Sequence, residues 1–364
     1  MKRKYPRNYE RNEKYLERLY ELACKLTSIP AVSGREDMGM QQLAELCAGY
    51  FDNYEITPVG SFIGRINCGK EGAKTLLLDA HFDEIGFMVT EICDGGFLKV
   101  VNVGGIDPRI LSASEVLIHG KITIQGIFTS KPPHLQEEGE SSKPMKLENL
   151  AIDTCYTKQQ LEEIVKIGTP VSFRSTVERL QGDYIVGKSF DDRICISAIL
   201  RALELLKGKD LPVNIAVQFS GGEEIGYKGA TTSSYRIAPD YAVVLDVTNA
   251  YVPEAPIYRK GIKTGGGGSI SYSAQTNRPL TEKAVAIAKE NNIPYQLFAE
   301  PNKTGTNSNA VQTSRGGIPT VLISIPLKNM HTANEIVTLS DVLEVSRLVS
   351  EFALSFQGGE INVG

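Results

Sequence analysis

The sequence predicts an α/β protein in which a mostly parallel sheet is flanked by helices and carries an inserted small β-barrel. Strand-like apolar runs alternate with helical patterns in both terminal parts of the chain, which favours parallel strands covered on both faces. Between about residues 94 and 177 the pattern changes to short β-type runs separated by glycine and proline, as is typical of a small barrel or sandwich. The length of 364 residues also exceeds the about 250–300 residues at which a single core stops growing. We therefore predict one α/β domain from residues 1–93 and 178–364 and an inserted barrel domain from residues 94–177.

The N-terminal part predicts two helices and then three strands. In YLERLYELACKLTSIP, Leu16, Leu19, Ala23 and Leu26 fall on one helical face, which indicates an amphipathic helix. A break near Gly34 separates this helix from a second one, EDMGMQQLAELCAGYF. The apolar runs FIGRI, TLLLDAHF and IGFMVTEI then predict strands.

The inserted segment reads as strands joined by turns. Its strand-like runs are FLKVV, SEVLIHG, KITIQGIFTS and PVSFRS. The polar stretch LQEEGESSKPMK interrupts them, and we expect residues 136–146 to form a mobile exposed loop.

Helices and strands alternate again after the insert. DDRICISAILRALELL places Ile196, Ile199, Leu203 and Leu206 on one face, which predicts a helix. The strands VNIAVQFS and YAVVLDV follow, then the helix LTEKAVAIAKENN, the strand PTVLISIP and a terminal helix, DVLEVSRLVSEFAL. Ser340 is the predicted N-cap of that last helix.

Composition and charge exclude several classes of partner. The net charge of −4 gives no electrostatic basis for binding nucleic acid or an anionic membrane. No segment approaches the roughly 20 apolar residues that span a bilayer, and the basic N-terminal stretch lacks the apolar core of a signal peptide. Six cysteines without C-x-x-C spacing indicate reduced thiols rather than a disulfide framework. We expect a cytoplasmic protein.

Side chains of the metal-ligand type recur along the chain, and most of them follow a strand-like apolar run. The five candidate ligands are His81, Asp191, Glu224, Asp246 and His331. In open α/β sheets, ligands bind beyond the carboxyl ends of the strands. Imidazoles and carboxylates suit zinc, manganese or cobalt and are poor ligands for copper(I) or iron–sulfur clusters. The pattern therefore predicts a hydrolase with two divalent metal ions per chain.

A two-metal site needs ligands for each ion and a carboxylate shared by both. Asp191 can serve as the shared carboxylate. His81 and Asp246 can complete one ion, and His331 and Glu224 the other.

Two further carboxylates have predicted roles in catalysis. Glu223 stands next to a candidate ligand and is itself unassigned, so we predict that it is the general base for the attacking water. Asp83 follows His81 by two positions and is the candidate acceptor for the second N–H of that imidazole, because such acceptors fix the orientation of a ligating histidine.

Each of these residues also has an ordinary explanation. Asp191 at the start of a helix is commonly an N-cap, and a Glu-Glu pair is commonly a solvated turn. Asp246 is harder to dismiss, because a carboxylate at the end of an apolar run is costly to bury unless it is paired or coordinated. The joint placement favours the metal site. His119 and His134 fall in the insert, and GIKTGGGGS lacks the spacing of a phosphate-binding loop.

The motifs DAHFDEIGFMV, GKSFDDR, GEEIGYKGA, LDVT and IPLKNMH resemble those of the tetrahedral (TET-type) aminopeptidases. These are cobalt- or zinc-dependent peptidases that include glutamyl aminopeptidase and proteins named endoglucanase CelM. The resemblance covers essentially the whole chain and implies a co-catalytic zinc peptidase-like fold with the same five ligands, Glu223 as base and Asp83 as the residue that orients His81.

The same resemblance has implications for assembly and substrates. It implies that the insert drives dimers, which build a hollow tetrahedral dodecamer that admits short unfolded peptides. The chain departs from the family motifs at Gly222, Asn249 and Asn307, and these positions lie near the expected substrate pocket.

The leading hypothesis is a metallo-aminopeptidase that hydrolyses N-terminal residues from short peptides through a two-metal-activated water. A glycoside hydrolase is an alternative, although such enzymes use two carboxylates and need no metal, and the chain contains no tryptophan to stack on sugars. An inactive assembly protein on the same scaffold is another, although no candidate ligand is lost. Lys303, Arg315 and Lys328 would favour acidic substrates if they lined the pocket, so the preferred N-terminal residue stays open, as does the metal.

Overall fold

The computed structural model of the chain describes residues 9–136, 146–253 and 261–356. The exposed loop predicted for residues 136–146 lies almost entirely outside them. The α-helices are α1 (Tyr9–Ser28), α2 (Met40–Cys47), α3 (Lys158–Ile164), α4 (Phe190–Leu206), α5 (Lys228–Ile237), α6 (Arg278–Glu290), α7 (Ser308–Val311) and α8 (Leu339–Leu354).

The β-strands fall into three groups. Those of the larger sheet are β1 (Asn53–Ile56), β2 (Phe62–Ile66), β3 (Thr75–His81), β12 (Asn214–Ser220), β13 (Tyr241–Asn249), β14 (Gly268–Ser273), β15 (Tyr295–Glu300) and β16 (Thr320–Leu327). Those of a closed barrel are β4 (Gly86–Ile92), β5 (Phe97–Val103), β6 (Glu115–His119), β7 (Thr123–Phe128), β8 (Ile152–Asp153) and β9 (Pro170–Phe173). A small antiparallel sheet contains β10 (Glu178–Arg179), β11 (Tyr184–Gly187) and β17 (Glu335–Thr338).

The larger sheet has eight strands in the order β1-β2-β12-β3-β13-β16-β14-β15. β3 pairs in parallel with β12 and β13, and β13 pairs in parallel with β16. The flanking pairings of β2 with β12 and of β14 with β16 are antiparallel. The four central strands therefore end along one edge, and the predicted α/β class with a mostly parallel sheet and a barrel is confirmed.

Helices cover both faces of this sheet because its central strands are apolar on both sides. On one face α1, α4, α6 and α8 pack into a core that includes Leu22, Leu78, Ile199 and Leu348. On the other face α5 and α7 cover a smaller cluster around Val244. α4 packs against α1, α8 and the strands β3 and β13, so the helix that begins at the predicted ligand region is held firmly on the sheet.

The barrel has its own hydrophobic core and runs in the order β4-β5-β8-β7-β6-β9. The Phe87 ring lies 5.0 Å from the Phe128 ring and 5.4 Å from the Phe173 ring, measured between centroids. Its first strand, β4, begins at Gly86, ahead of the boundary at residue 94. The pattern of IGFMVTEI identifies a strand but not its partners, which are β5 and β9 rather than strands of the larger sheet.

Phe87→Ala is expected to lower the free energy of unfolding by about 3–5 kcal/mol, since truncating a buried phenylalanine loses burial and leaves a cavity. Denaturant unfolding of the metal-free protein measures this. Thr90→Ala, an exposed position on the same strand, is the control and should change stability by less than about 0.5 kcal/mol. Equal effects of the two changes would contradict the barrel core described here.

The last helix begins earlier than its sequence indicates. Thr338, not Ser340, is the N-cap of α8, and its side-chain oxygen accepts from the Asp341 N–H. The N–H of Ser340 instead donates to the Asp183 carboxylate at 2.9 Å. A residue distant in sequence, Asp183, therefore accepts the backbone N–H of the residue that the sequence pattern assigns as the cap.

None of the helices in the described ranges has the length and apolar character needed to cross a bilayer.

Candidate metal centre

The predicted site residues converge at the carboxyl edge of the central strands. His81 ends β3 and pairs in register with Ser220, the last residue of β12, so Glu223 and Glu224 follow immediately beyond that edge. Asp246 on β13 pairs with Ser324 on β16. The structure therefore brings strand ends that are far apart in sequence to one place, as the strand pattern predicts.

The remaining two residues reach the same edge from other elements. Asp191 is the second residue of α4, and His331 lies in the turn between β16 and β17. The Asp191 carboxylate stands between the two imidazoles, with Oδ1 at 3.0 Å from His81 Nε2 and Oδ2 at 3.3 Å from His331 Nε2. His331 Nε2 also lies 3.3 Å from Glu224 Oε1. Asp191 thus faces both histidines, as a shared carboxylate must.

The donor atoms form sets of the size that a metal ion requires. One set is Asp191, Glu224 and His331, and another is His81, Asp192 and Asp246; within each set the candidate ligand atoms all lie within 4.8 Å of one another. His81 also forms such a set with Glu223 and Glu224. Imidazole nitrogen with carboxylate oxygen is the ligand chemistry of zinc, cobalt and manganese. The donor set therefore fits divalent cations.

Burial and mutual repulsion disfavour the ionised form of the carboxyls at this site. Burial raises the pKa of Glu223 well above its usual range, and the nearby Asp246 and Glu224 raise it further. Burial and the Asp191 carboxylate raise the pKa of Asp246 in the same way. Burial opposes a charged His331, but hydrogen bonds to Asp191 and Glu224 outweigh it and raise the pKa of His331 to about 11. Bound cations would stabilise the carboxylates in their ionised form.

Asp83 contacts both His81 and the Glu-Glu pair, although not in the way the sequence suggests. His81 Nδ1 lies 3.1 Å from the Asp83 backbone oxygen and 3.6 Å from its carboxylate Oδ1, and only the first is a hydrogen-bond distance. The Asp83 carboxylate instead accepts from the backbone N–H groups of Glu223 at 3.0 Å and Glu224 at 3.2 Å. The backbone oxygen of Asp83 therefore orients the buried His81 imidazole, and the Asp83 carboxylate holds the turn that carries Glu223 and Glu224.

Two buried carboxylates of the site were not selected from the sequence. Asp192, joined to Asp191 by a cis peptide bond, accepts from the His81 backbone N–H at 3.1 Å. Glu335 accepts from the backbone N–H groups of Asp191 and His331. The second aspartate of SFDDR could have identified Asp192 from the sequence. Glu335 does not follow an apolar run, so the strand-end pattern could not identify it.

A cavity of about 370 Å³ opens beside the centre. Besides the predicted site residues, its lining includes Thr248, Asn249, Ser271, Glu300 and Thr304. Among the residues that the structure describes, no lysine or arginine lines it. The described cavity lining therefore contains no basic pocket for an acidic side chain formed by Lys303, Arg315 or Lys328.

The three positions that depart from the resembled motifs lie close to this cavity. Asn249 lines it. Asn307 is buried next to the lining residue Thr306, and its amide donates to the Asp79 carboxylate at 2.9 Å and to Ser220 Oγ at 2.7 Å. Gly222 adopts a left-handed φ of 70°, and a Cβ there would lie 2.4 Å from the Lys228 side chain. His119 lies in the barrel, where its Nε2 is 2.9 Å from Ser172 Oγ.

The metal-free protein is expected to lose stability as the pH rises from about 5 to 8. Burial raises the pKa of Asp79 to about 7, against hydrogen bonds from Gln218 and Asn307. Burial and the nearby Asp191 raise the pKa of Glu335 to about 8. Because carboxyls in the unfolded chain have pKa values of about 4, the folded state binds more protons throughout this window, and its stability falls as they are released.

Thermal unfolding of the metal-free protein at several pH values measures this trend. Asp79→Asn should flatten the slope, because the amide has no proton to lose in this range. A midpoint temperature that rises between pH 5 and 8 would contradict the prediction.

The chain matches a known protein family over most of its length. The family model described as M42 glutamyl aminopeptidase matches residues 60–348. The lysyl aminopeptidase of Pyrococcus furiosus is 30% identical over 331 residues, which cover 89% of this chain and 93% of that protein.

Solved structures give the same result over nearly the full length. The TET aminopeptidase from the marine sediment archaeon Thaumarchaeota archaeon SCGC AB-539-E09 superposes with a TM-score of 0.88 at 30% identity, covering 93% of this chain and 96% of that one. The TET1 peptidase of Pyrococcus horikoshii, which can assemble into a tetrahedron or a large octahedral shell, superposes with a TM-score of 0.81 at 28% identity, covering 93% and 99%. The similarity thus includes both the sheet and the inserted barrel.

Proposed function

Because this chain belongs to the M42 glutamyl aminopeptidase family, we propose that it hydrolyses N-terminal residues from short peptides with two divalent metal ions. The observation that carries the proposal is the position of the Asp191 carboxylate between His81 and His331. The lysyl aminopeptidase and the TET aminopeptidase to which the chain is similar both carry this activity in their names.

We assign the five ligands as the sequence predicts, and the short distances of His81 to Asp246 and of Glu224 to His331 support the grouping. Asp191 would be shared by the two ions, His81 and Asp246 would complete one, and Glu224 and His331 the other. When bound, two such ions lower the pKa of a water molecule and stabilise negative charge on the carbonyl oxygen under attack. Zinc, cobalt and manganese all suit this donor set.

Glu223 is the proposed general base. It lines the cavity and belongs to the donor set around His81, yet it is not needed as a ligand in the assignment above. Its carboxylate would accept a proton from the attacking water and deliver it to the nitrogen of the departing amine. The Asp83 carboxylate supports this role, because its bonds to the Glu223 and Glu224 N–H groups fix the turn from which Glu223 projects.

The cavity suits the amino terminus of a peptide. Its described lining combines carboxylates with neutral polar side chains such as Thr248 and Thr304 and contains no lysine or arginine. Glu300 is neither a proposed ligand nor the proposed base, so its charge would attract a positively charged α-amine, and the described lining offers no lysine or arginine to hold a C-terminal carboxylate. This favours cleavage at the amino end.

We further propose that the inserted barrel mediates dimers and that the dimers assemble into a tetrahedral dodecamer. Structurally similar TET peptidases form a dodecamer or assemble into a tetrahedron or octahedral shell. Apolar side chains on the outer barrel surface support an interface there, with Met88 41% and Val101 39% exposed at paired positions on β4 and β5. Such a shell would restrict substrates to short unfolded peptides.

The test uses the metal-loaded protein and a short peptide supplied with either a free or an acetylated amino terminus. Mass spectrometry should show the free peptide shortening one residue at a time while the acetylated peptide stays intact. Equal cleavage of both peptides, or cleavage of neither, would refute aminopeptidase activity.

The same preparation separates the alternative functions. A glycoside hydrolase would release sugar from β-glucan without regard to chelators, because its two carboxylates need no metal. An inactive assembly protein would retain metal and show no turnover on either substrate. A panel of aminoacyl p-nitroanilides then defines the preferred N-terminal residue.

A further inference from the structure

Glu335 is the first residue of β17 and is only 1% exposed. Its Oε1 accepts from the backbone N–H of His331 at 2.9 Å, and its Oε2 accepts from the backbone N–H of Asp191 at 3.1 Å. One carboxylate therefore holds the main chains of two proposed ligands that come from different elements, α4 and the turn between β16 and β17. Each oxygen serves one of them.

The backbone at both positions depends on contacts from other elements. Asp191 lies in the first turn of α4, where backbone N–H groups have no partner within the helix. His331 lies in a turn with a left-handed φ of 61°, a conformation that a residue with a Cβ rarely adopts unless its surroundings hold it there. Glu335 supplies the bond to its backbone.

The side chain of His331 is fixed separately. Its Nδ1 lies 2.7 Å from the Gly105 carbonyl oxygen, which directs Nε2 towards Asp191 and Glu224. Rotation of the ring is thus set by Gly105, and the position of the backbone that carries the ring is set by Glu335. Glu335 is also bonded to the Asp191 backbone, so this carboxylate links the main chains of both residues.

We propose that Glu335 is a positioning residue that sets the distance between Asp191 and His331 and thereby the affinity of the centre for the ion these residues share. The inference rests on the two-ion centre proposed above. Glu335 itself binds no ion in this scheme and acts through the backbone of the ligands.

Two substitutions alter this contact in different ways. Glu335→Gln keeps the shape but offers a single acceptor oxygen, so one of the two N–H groups would face an amide donor. Glu335→Asp keeps the charge but is one methylene shorter, so its oxygens cannot reach both N–H groups. We expect each variant to bind zinc about 10–100-fold more weakly than the natural protein, the range found when residues that orient ligands are replaced.

The chain offers a matched control in Asp341. This carboxylate is also 1% exposed and accepts two backbone N–H groups, from Gly265 at 2.6 Å and Gly267 at 2.7 Å, but it does not line the cavity. Asp341→Asn makes the same chemical change outside the centre. It should lower the thermal midpoint of the metal-free protein and leave zinc affinity unchanged.

Zinc affinity is measured by competition with a chromophoric chelator, so the readout does not depend on turnover. Wild-type affinity in both Glu335 variants, or equal weakening in Asp341→Asn, would overturn the proposal. It would also be overturned if both Glu335 variants failed to fold while Asp341→Asn folded, since Glu335 would then support the fold rather than the centre. If the natural protein bound no zinc, cobalt or manganese, the proposed function itself would fail.

Discussion

Glu223→Gln is expected to lower kcat for peptide hydrolysis by about 10²–10⁴-fold, the contribution that a positioned general base makes, while the protein retains its metal. Glutamine keeps the size of the side chain and can still accept a hydrogen bond, but it cannot take the proton of the attacking water. Because Glu223 is outside the proposed ligand set, the loss should fall on kcat rather than on metal content.

Steady-state kinetics and metal analysis of the same preparation measure the two quantities. Glu344→Gln is the matched control, since Glu344 is also a carboxyl whose pKa burial raises, but it lies on α8 and does not line the cavity. That variant should keep kcat close to the natural value. Near-normal turnover in Glu223→Gln would assign the base to another residue.

Removing the metal should abolish hydrolysis entirely, and zinc, cobalt or manganese should restore it. In the proposed scheme the two ions are what lowers the pKa of the attacking water and stabilises the carbonyl oxygen, so their removal should leave no catalysis. Bound ions also stabilise the folded state over the unfolded one by mass action, so the thermal midpoint should fall on removal and recover on addition.

The measurement is activity and thermal unfolding after dialysis against a chelator, with residual metal determined directly. Magnesium is a useful comparison ion, because it prefers octahedral oxygen ligands and keeps much of its water, and it should restore little activity. Full hydrolysis by a preparation shown to be free of metal would end the two-ion proposal.

Much of this centre was accessible from the sequence because parallel strands bring their ends together. Once TLLLDA, IAVQFS and YAVVL are recognised as strands, His81, the Glu-Glu pair and Asp246 must meet at one edge. The periodicity of the helices and the change of pattern at the insert likewise follow from local spacing. These features depend on residues close together in the chain.

Contacts that join distant segments were not accessible in this way. β4 reads as a strand, but its place in the barrel depends on β5 and β9. The Asp83 carboxylate sits beside His81 in sequence yet bonds the main chain near residue 223. No apolar run precedes Glu335. Its carboxylate accepts the backbone N–H groups of Asp191 and His331, and such backbone contacts leave no pattern in the sequence. Sequence spacing indicates which side chains share an edge, but not which backbone groups they satisfy.

The bond from His331 to the Gly105 carbonyl joins a loop of the inserted barrel to the turn that follows β16. A loop of the module proposed to contact neighbouring chains therefore bears on an imidazole at the reaction centre. Thermodynamic coupling of this kind is reciprocal: if subunit contacts steady that loop and tighten cation binding, cation binding must strengthen the subunit contacts by the same free energy. The quaternary state should then vary with metal occupancy, and a weakly assembled variant should become a poorer binder of its ions.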